Sequence, residues 1–239
     1  MEILERIFEL QLRFSSVRTP EMVERHKLVT IDFTSWIETR AADVLSSNDL
    51  KVKGSTSTGR YAHVPWVRVY DRSKSRTAQN GFYLVYLFSF DGRRLYLSLN
   101  QGTTTGGTEM TPKSDADLRA RVETVRKLLE ESTFDLSSRL KIETIDLGDP
   151  HGLQPNAVSG LARQYEKGHI YGVEYKRDEM PSEETLVADL IRLCDVQSLI
   201  YNSCDDELSL KEFEDFLVGK KAINELKDNL TTNLNRQDS

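Results

Sequence analysis

Gly54-Ser-Thr-Ser57-Thr58-Gly59-Arg60-Tyr61-Ala-His-Val64-Pro65-Trp66-Val-Arg68-Val-Tyr70-Asp71, a polar link, then Asn80-Gly-Phe-Tyr83-Leu-Val-Tyr86-Leu87-Phe-Ser-Phe90-Asp91-Gly92 and Leu95-Tyr-Leu-Ser-Leu-Asn100-Gln-Gly102 form the stretch that decides the fold. Val64–Tyr70, Tyr83–Phe90 and Leu95–Asn100 read as three strands, with Asp91-Gly92 as the hairpin turn between the last two. In the middle one, alternation sends Tyr83, Val85, Leu87 and Ser89 to one face and Leu84, Tyr86, Phe88 and Phe90 to the other. Both faces are largely apolar, which predicts a sheet covered on both sides. Pro65 has no N–H for a ladder and belongs at a strand start or edge.

The same window carries most of the chain's positive character. Lys51 to Arg94 contains nine Lys/Arg and only Asp71 and Asp91 as acids, while the whole chain is at −6. An acidic protein that gathers basic groups among aromatic strands is built to meet a polyanion. A solvated sheet face balanced by charge elsewhere gives the same count. Asp178–Val218 is the counterweight, with twelve acids against Arg192 and Lys211. That segment is expected to face away from DNA or toward a protein partner.

Helical spacing surrounds the strands. Ile3, Ile7, Leu10 and Phe14 form one amphipathic stripe. Thr19-Pro20-Glu21 is a helix start, and Val23 to Val44 fits a long helix broken near Thr30. Ser114 with Asp117 caps a helix carrying Leu118, Val122, Val125 and Leu129. Pro155–Glu166 and the segment opened by Pro181-Ser182-Glu183 read as two more, and Ser209 with Glu212 starts another. Leu50–Lys53, Lys141–Leu147 and His169–Tyr175 read as further strands. The fold class expected is mixed α/β (α+β), with a mixed, mainly antiparallel central sheet flanked by helices on both faces. Residues 1–203 are expected to form one domain. Residues 204–239 read as a helical extension and polar linker to an effector outside this chain.

Composition narrows the function. No run approaches the roughly 20 apolar residues of a membrane span. The charged start Met1-Glu-Ile-Leu-Glu-Arg6 does not read as a signal peptide. Cys194 and Cys204 form neither a disulfide framework nor a zinc site, which suits a cytoplasmic protein. Gly54 to Gly59 nearly matches a phosphate-cradling loop, but lacks its lysine and hydroxyl and precedes a strand rather than a helix. His26, His63, His151 and His169 have no metal-ligand spacing. Glu174-Tyr-Lys176 with Asp149 upstream faintly matches a metal-dependent nuclease core, which needs converging carboxylates. The chain therefore reads as a binding domain rather than an enzyme, with no cofactor implied. Nuclease and protein-interaction module stand as alternatives. Trp66 and Tyr83, flanking loops within the basic window, are placed to hold a flat ring, although core packing must claim most of the aromatics.

These residues resemble a known family. The glycine-rich loop before Val64-Pro65-Trp66, Asn80-Gly81-Phe82-Tyr83, Leu95-Tyr-Leu-Ser-Leu-Asn-Gln-Gly102 and Tyr165-Glu-Lys-Gly168-His-Ile-Tyr171 with Tyr175 are similar in order and spacing to the McrB-like N-terminal domain of modification-dependent restriction systems. The likeness runs from about Ile3 to Tyr201. It implies a domain that recognises modified cytosine, 5-methylcytosine or 5-hydroxymethylcytosine, in double-stranded DNA by base flipping. It also implies a GTP-dependent motor or an HNH-type nuclease that works with it, neither of which this chain contains. Carried over by position, the base pocket falls on Trp66, Tyr83, Leu87 and Tyr165, with Leu87 facing the modified carbon. DNA-backbone contacts are expected from Arg60, Arg68, Arg72, Lys74, Arg76 and Arg93, and loop contacts from Ser57, Thr58 and Gly59. Thr58 stands where better-known members have an aromatic.

Overall fold

In the computed structural model, residues 1–55, 61–104, 111–132, 135–148 and 159–202 are described. Five strands run β1 (Leu50–Gly54), β2 (Trp66–Asp71), β3 (Phe82–Phe88), β4 (Arg94–Gln101) and β5 (His169–Lys176). They lie side by side in chain order, every neighbouring pair antiparallel. The sheet is thus wholly antiparallel. β3 is its central strand and is buried along its full length, as its two apolar faces require. Pro65 falls one residue before β2, outside the ladder. Gly92 takes φ +64° in the β3–β4 turn, where Asp91 Oδ1 accepts hydrogen bonds from Ser89 Oγ (2.6 Å) and Arg93 N (3.1 Å).

One face packs under helices α1 (Glu2–Gln11), α3 (Thr34–Arg40), α4 (Ala42–Ser47) and, later in the chain, α7 (Glu183–Asn202), while α2 (Pro20–Lys27) packs against α1. Thr19 caps α2 by accepting from Met22 N (3.2 Å), with Pro20 at its first position. The break expected near Thr30 is a π-helical turn, Leu28–Phe33, that joins α2 to α3 without leaving the helical path. Its origin lies in the spacing. Arg25, Val29, Phe33, Ile37, Ala41 and Leu45 are all buried, one every four residues. An α-helix of 3.6 residues per turn would carry a four-residue stripe steadily around its axis. A wider i→i+5 turn absorbs part of that drift and keeps the stripe on the sheet.

α5 (Asp115–Glu131) is capped by Ser114, whose Oγ accepts from Asp117 N (3.1 Å), and packs toward β5. The other face of the sheet is covered by α6 (Ser159–Gly168) and the segment through Ile145 and Leu147. Here the expectation of a strand at Lys141–Leu147 fails. The segment is extended, but it crosses the sheet face instead of joining an edge. It makes only scattered backbone bonds, such as Ile142 N to Gly172 O (3.2 Å) and Phe90 N to Leu147 O (2.8 Å). Residues 155–158 of the helix expected over Pro155–Glu166, and the helix and linker expected after residue 202, lie outside the described residues.

Candidate nucleic-acid interface

The second face gathers the expected pocket. Tyr83, Val85 and Leu87 from β3, Tyr96 from β4, Tyr165 and Ala162 from α6, and Val64 share one buried cluster against which Trp66 and Tyr70 pack, partly exposed. Trp66 is the direct cross-strand partner of Leu87, and Arg68 that of Val85. Continuing that register sets Tyr70 beside Tyr83. Two rows therefore run in parallel: Trp66, Arg68, Tyr70 on β2 and Leu87, Val85, Tyr83 on β3. Four residues of strand separate Tyr83 from Leu87, about 13 Å.

Each member is held by its neighbours. The Tyr83 hydroxyl lies within hydrogen-bond distance of Ala78 O (3.2 Å) and Gln101 O (3.3 Å). Burial pushes the Tyr83 and Tyr165 phenols upward, so both remain neutral. Tyr165 is fixed through its backbone: Asn100 Nδ2 donates to Tyr165 O (2.9 Å) and to Ser98 Oγ (3.2 Å). Ser98 Oγ in turn meets His169 Nδ1 (2.7 Å), whose Nε2 meets Ile142 O (2.8 Å). At the other end, Arg25 and Gln11 reach out of the helical layer. Arg25 donates to Gln11 Oε1 and Ala62 O (2.8 Å), and Gln11 Nε2 to His63 O (2.7 Å). This buried pair anchors the approach to Trp66. Nothing in the sequence marked it except polar residues at core-facing helical positions.

The basic groups divide. Arg72 and Arg76 are exposed and, with Lys51, Ser73 and Tyr70, line an open groove beside the β1–β2 edge. Asp71 Oδ1 folds this link by accepting from Ser73 N (2.7 Å) and Lys74 N (3.2 Å). Arg93 is exposed at the opposite end of β3, in the hairpin. No described carboxylate pairs with Arg72, Lys74, Arg76 or Arg93, in contrast to Lys51 with Asp49 (3.0 Å) and Arg94 with Asp146 (2.7 Å). Arg68 departs from the surface role expected for it. It is 3% exposed, its guanidinium carbon sits 3.7 Å from the Tyr70 ring centroid and 5.3 Å from that of Tyr83, and its Nη1 lies 3.4 Å from Ser75 Oγ. The signal was present in the alternation, which puts Arg68 on the face of Trp66 and Tyr70. Arg60, Ser57, Thr58 and Gly59 lie outside the described residues.

The residues of the nuclease alternative have other partners. Glu174 accepts from the Tyr96 hydroxyl (2.9 Å) and approaches Arg94 (3.6 Å), and Lys176 pairs with Glu179 (3.4 Å). Burial first, and that hydrogen bond next among the raising effects, push the Tyr96 phenol up to about 12 against the opposing effect of Arg94. Asp149 lies outside the described residues. Among the described residues no three His, Cys, Asp or Glu side chains converge as a metal site, and no helix is long and apolar enough to cross a membrane.

A five-stranded antiparallel meander with helices on both faces, one face carrying a buried aromatic cluster, defines a mixed α/β domain. The chain matches the family described as MrcB-like, N-terminal domain, over residues 13–202, and belongs to it. No curated protein matches the chain.

Proposed function

We propose that this domain binds double-stranded DNA and reads a modified cytosine, 5-methylcytosine or 5-hydroxymethylcytosine, by turning the base out of the stack against Trp66, Tyr83, Leu87 and Tyr165. One observation carries the proposal: residues from β2, β3 and α6, nearly 100 positions apart in sequence, share one cluster on one sheet face. Family membership supports it. Stacking on an aromatic offsets the few kcal/mol needed to unpair and unstack a base. Arg72, Lys74, Arg76 and Arg93 hold phosphates at the two ends of β3, and a side chain from the 54–59 or 73–79 region enters the duplex where the base leaves. Leu87 meets the 5-substituent. A buried methyl contributes about 0.8 kcal/mol, several-fold in affinity, so larger selectivity needs polar or steric exclusion. Cleavage or translocation belongs to a motor or nuclease outside this chain.

The test is affinity for matched duplexes carrying cytosine, 5-methylcytosine or 5-hydroxymethylcytosine at one position, at fixed salt, for wild type, Trp66→Ala and Leu87→Ala. Tighter binding of a modified duplex that Trp66→Ala abolishes is the expected result. Equal affinity for all three duplexes would reduce the domain to a backbone clamp.

A further inference from the structure

Among the described residues, Arg68 is the one Lys, Arg, Asp or Glu buried on the face that holds the aromatic cluster, and a core has no use for it. Arg68 is flanked on its own strand by Trp66 and Tyr70 and faces Val85 across the ladder, midway between Leu87 and Tyr83. It is 97% buried, yet its Nε–H meets no acceptor among the described residues. Burial lowers the pKa of the guanidinium, with Tyr83 and Tyr70 opposing that effect, and an arginine remains charged regardless. Its position is fixed by the Tyr70 ring at 3.7 Å and by Ser75, itself fully buried and bonded through Oγ to Asn80 O (2.7 Å) and Thr77 O (3.2 Å). A buried donor held this firmly without an acceptor is costly to fold around. That cost is recovered when an acceptor arrives.

The chemistry of the acceptor follows from what Leu87 cannot do. A 5-methyl group is common to 5-methylcytosine and thymine, so an apolar contact with it cannot separate the two. Their pairing edges differ. Cytosine presents two adjacent acceptors, O2 and N3, whereas thymine has N3–H, a donor, between its two carbonyls. A guanidinium offers donors only, and the edge formed by Nε–H and the neighbouring Nη2–H meets two adjacent acceptors in parallel. Thymine would set N–H against N–H there. We propose that Arg68 is the residue that distinguishes 5-methylcytosine from thymine, by donating to O2 and N3 of the base turned out against the aromatic cluster, while Leu87 separately reads the methyl group. The assignment rests on the base-pocket reading above.

Affinity is measured at one salt concentration for duplexes with C·G, 5-methylcytosine·G, T·A and T·G at one position, with wild type, Arg68→Met and Leu87→Ala. T·G is the stringent comparison, since it carries the same methyl and orphans the same guanine but is easier to unpair. Wild type is expected to bind 5-methylcytosine·G at least about tenfold more tightly than T·G, since a site built around hydrogen bonds rejects an analogue that cannot make them. In Arg68→Met that ratio should fall to within about twofold while the preference over C·G persists; Leu87→Ala should do the reverse. If Arg68→Met does not fold, wild type with 3-deaza-5-methylcytosine, which replaces N3 by C–H, decides: affinity should drop about fivefold or more. A wild type that favours 5-methylcytosine over cytosine but binds T·G equally well overturns the Arg68 assignment alone. So does an unchanged ratio in folded Arg68→Met, or indifference to the deaza base. Equal binding of all four duplexes overturns the pocket reading itself.

Discussion

His169 is 2% exposed at the start of β5, between Ser98 Oγ and the Ile142 carbonyl. Burial, chiefly, lowers its pKa to about 4 from the ordinary 6.5; the Ile142 hydrogen bond opposes the shift and Arg126 adds to it. The folded chain therefore holds a neutral imidazole that the unfolded chain protonates below about pH 6.5. The unfolded state binds more protons in that window, so stability is complete above pH 6.5 and falls as the pH drops toward 4. Between pH 6.5 and 5, before the carboxylates dominate, the loss from this one group is about 2 kcal/mol. Denaturant titrations across that window should show the slope, and His169→Gln, whatever its baseline, should flatten it. The same residue ties chemistry to position. Protonation forces the ring to donate to Ser98 as well as to Ile142, which reverses the hydrogen bond on which Asn100 and Tyr165 depend.

At the scale of elements, the link between β2 and β3 is the part with least room. A Cβ on Gly102 would lie 1.9 Å from the Gln79 carbonyl oxygen and 2.1 Å from its carbon. Neither is a side-chain end that can swing aside. Gly102→Ala should therefore push the 77–80 segment off β4, at a cost of about 1–3 kcal/mol in thermal or chemical unfolding. Because Ala78 O and Gln101 O both face the Tyr83 hydroxyl, base selectivity should weaken with stability in this variant. Sequence made most of these elements legible. Two apolar faces in β3 predicted a sheet covered on both sides, and Thr19-Pro20 and Ser114–Asp117 marked helix starts that the structure reproduces. The segment at Lys141–Leu147 was misread because alternation reports a half-buried extended chain, and Ile145 and Leu147 satisfy it by lying on a sheet face without a strand partner. The π turn was legible only as a break, since a four-residue repeat has no place in an ideal α-helix.

Across the whole molecule, charge is arranged by face and by end. α7 packs on the sheet face opposite the aromatic cluster, and Arg72, Lys74, Arg76 and Arg93, which no described carboxylate pairs, lie in the links at the two ends of β3. Counting charge along the chain found the basic window but could not sort it, since a buried Arg68 and an exposed Arg72 add equally to a sum. The sorting has a measurable consequence. Replacing Arg72 or Arg76 with Ala should weaken binding to every duplex alike and reduce the slope of log K against log salt by about 0.9 per lost phosphate contact. Arg68→Met should leave that slope nearly unchanged.

The meander also sets an order of assembly. β1 to β4 pair through sequence-adjacent connections, so their loops close at small entropic cost. β5 must return across residues 102–168 before it can pair with β4. Pulse-labelled hydrogen exchange during refolding should find amides of β2 and β3 protected before those of β5. Tyr165, immediately ahead of β5, then arrives last, so the chain acquires a stable sheet before its aromatic cluster is complete.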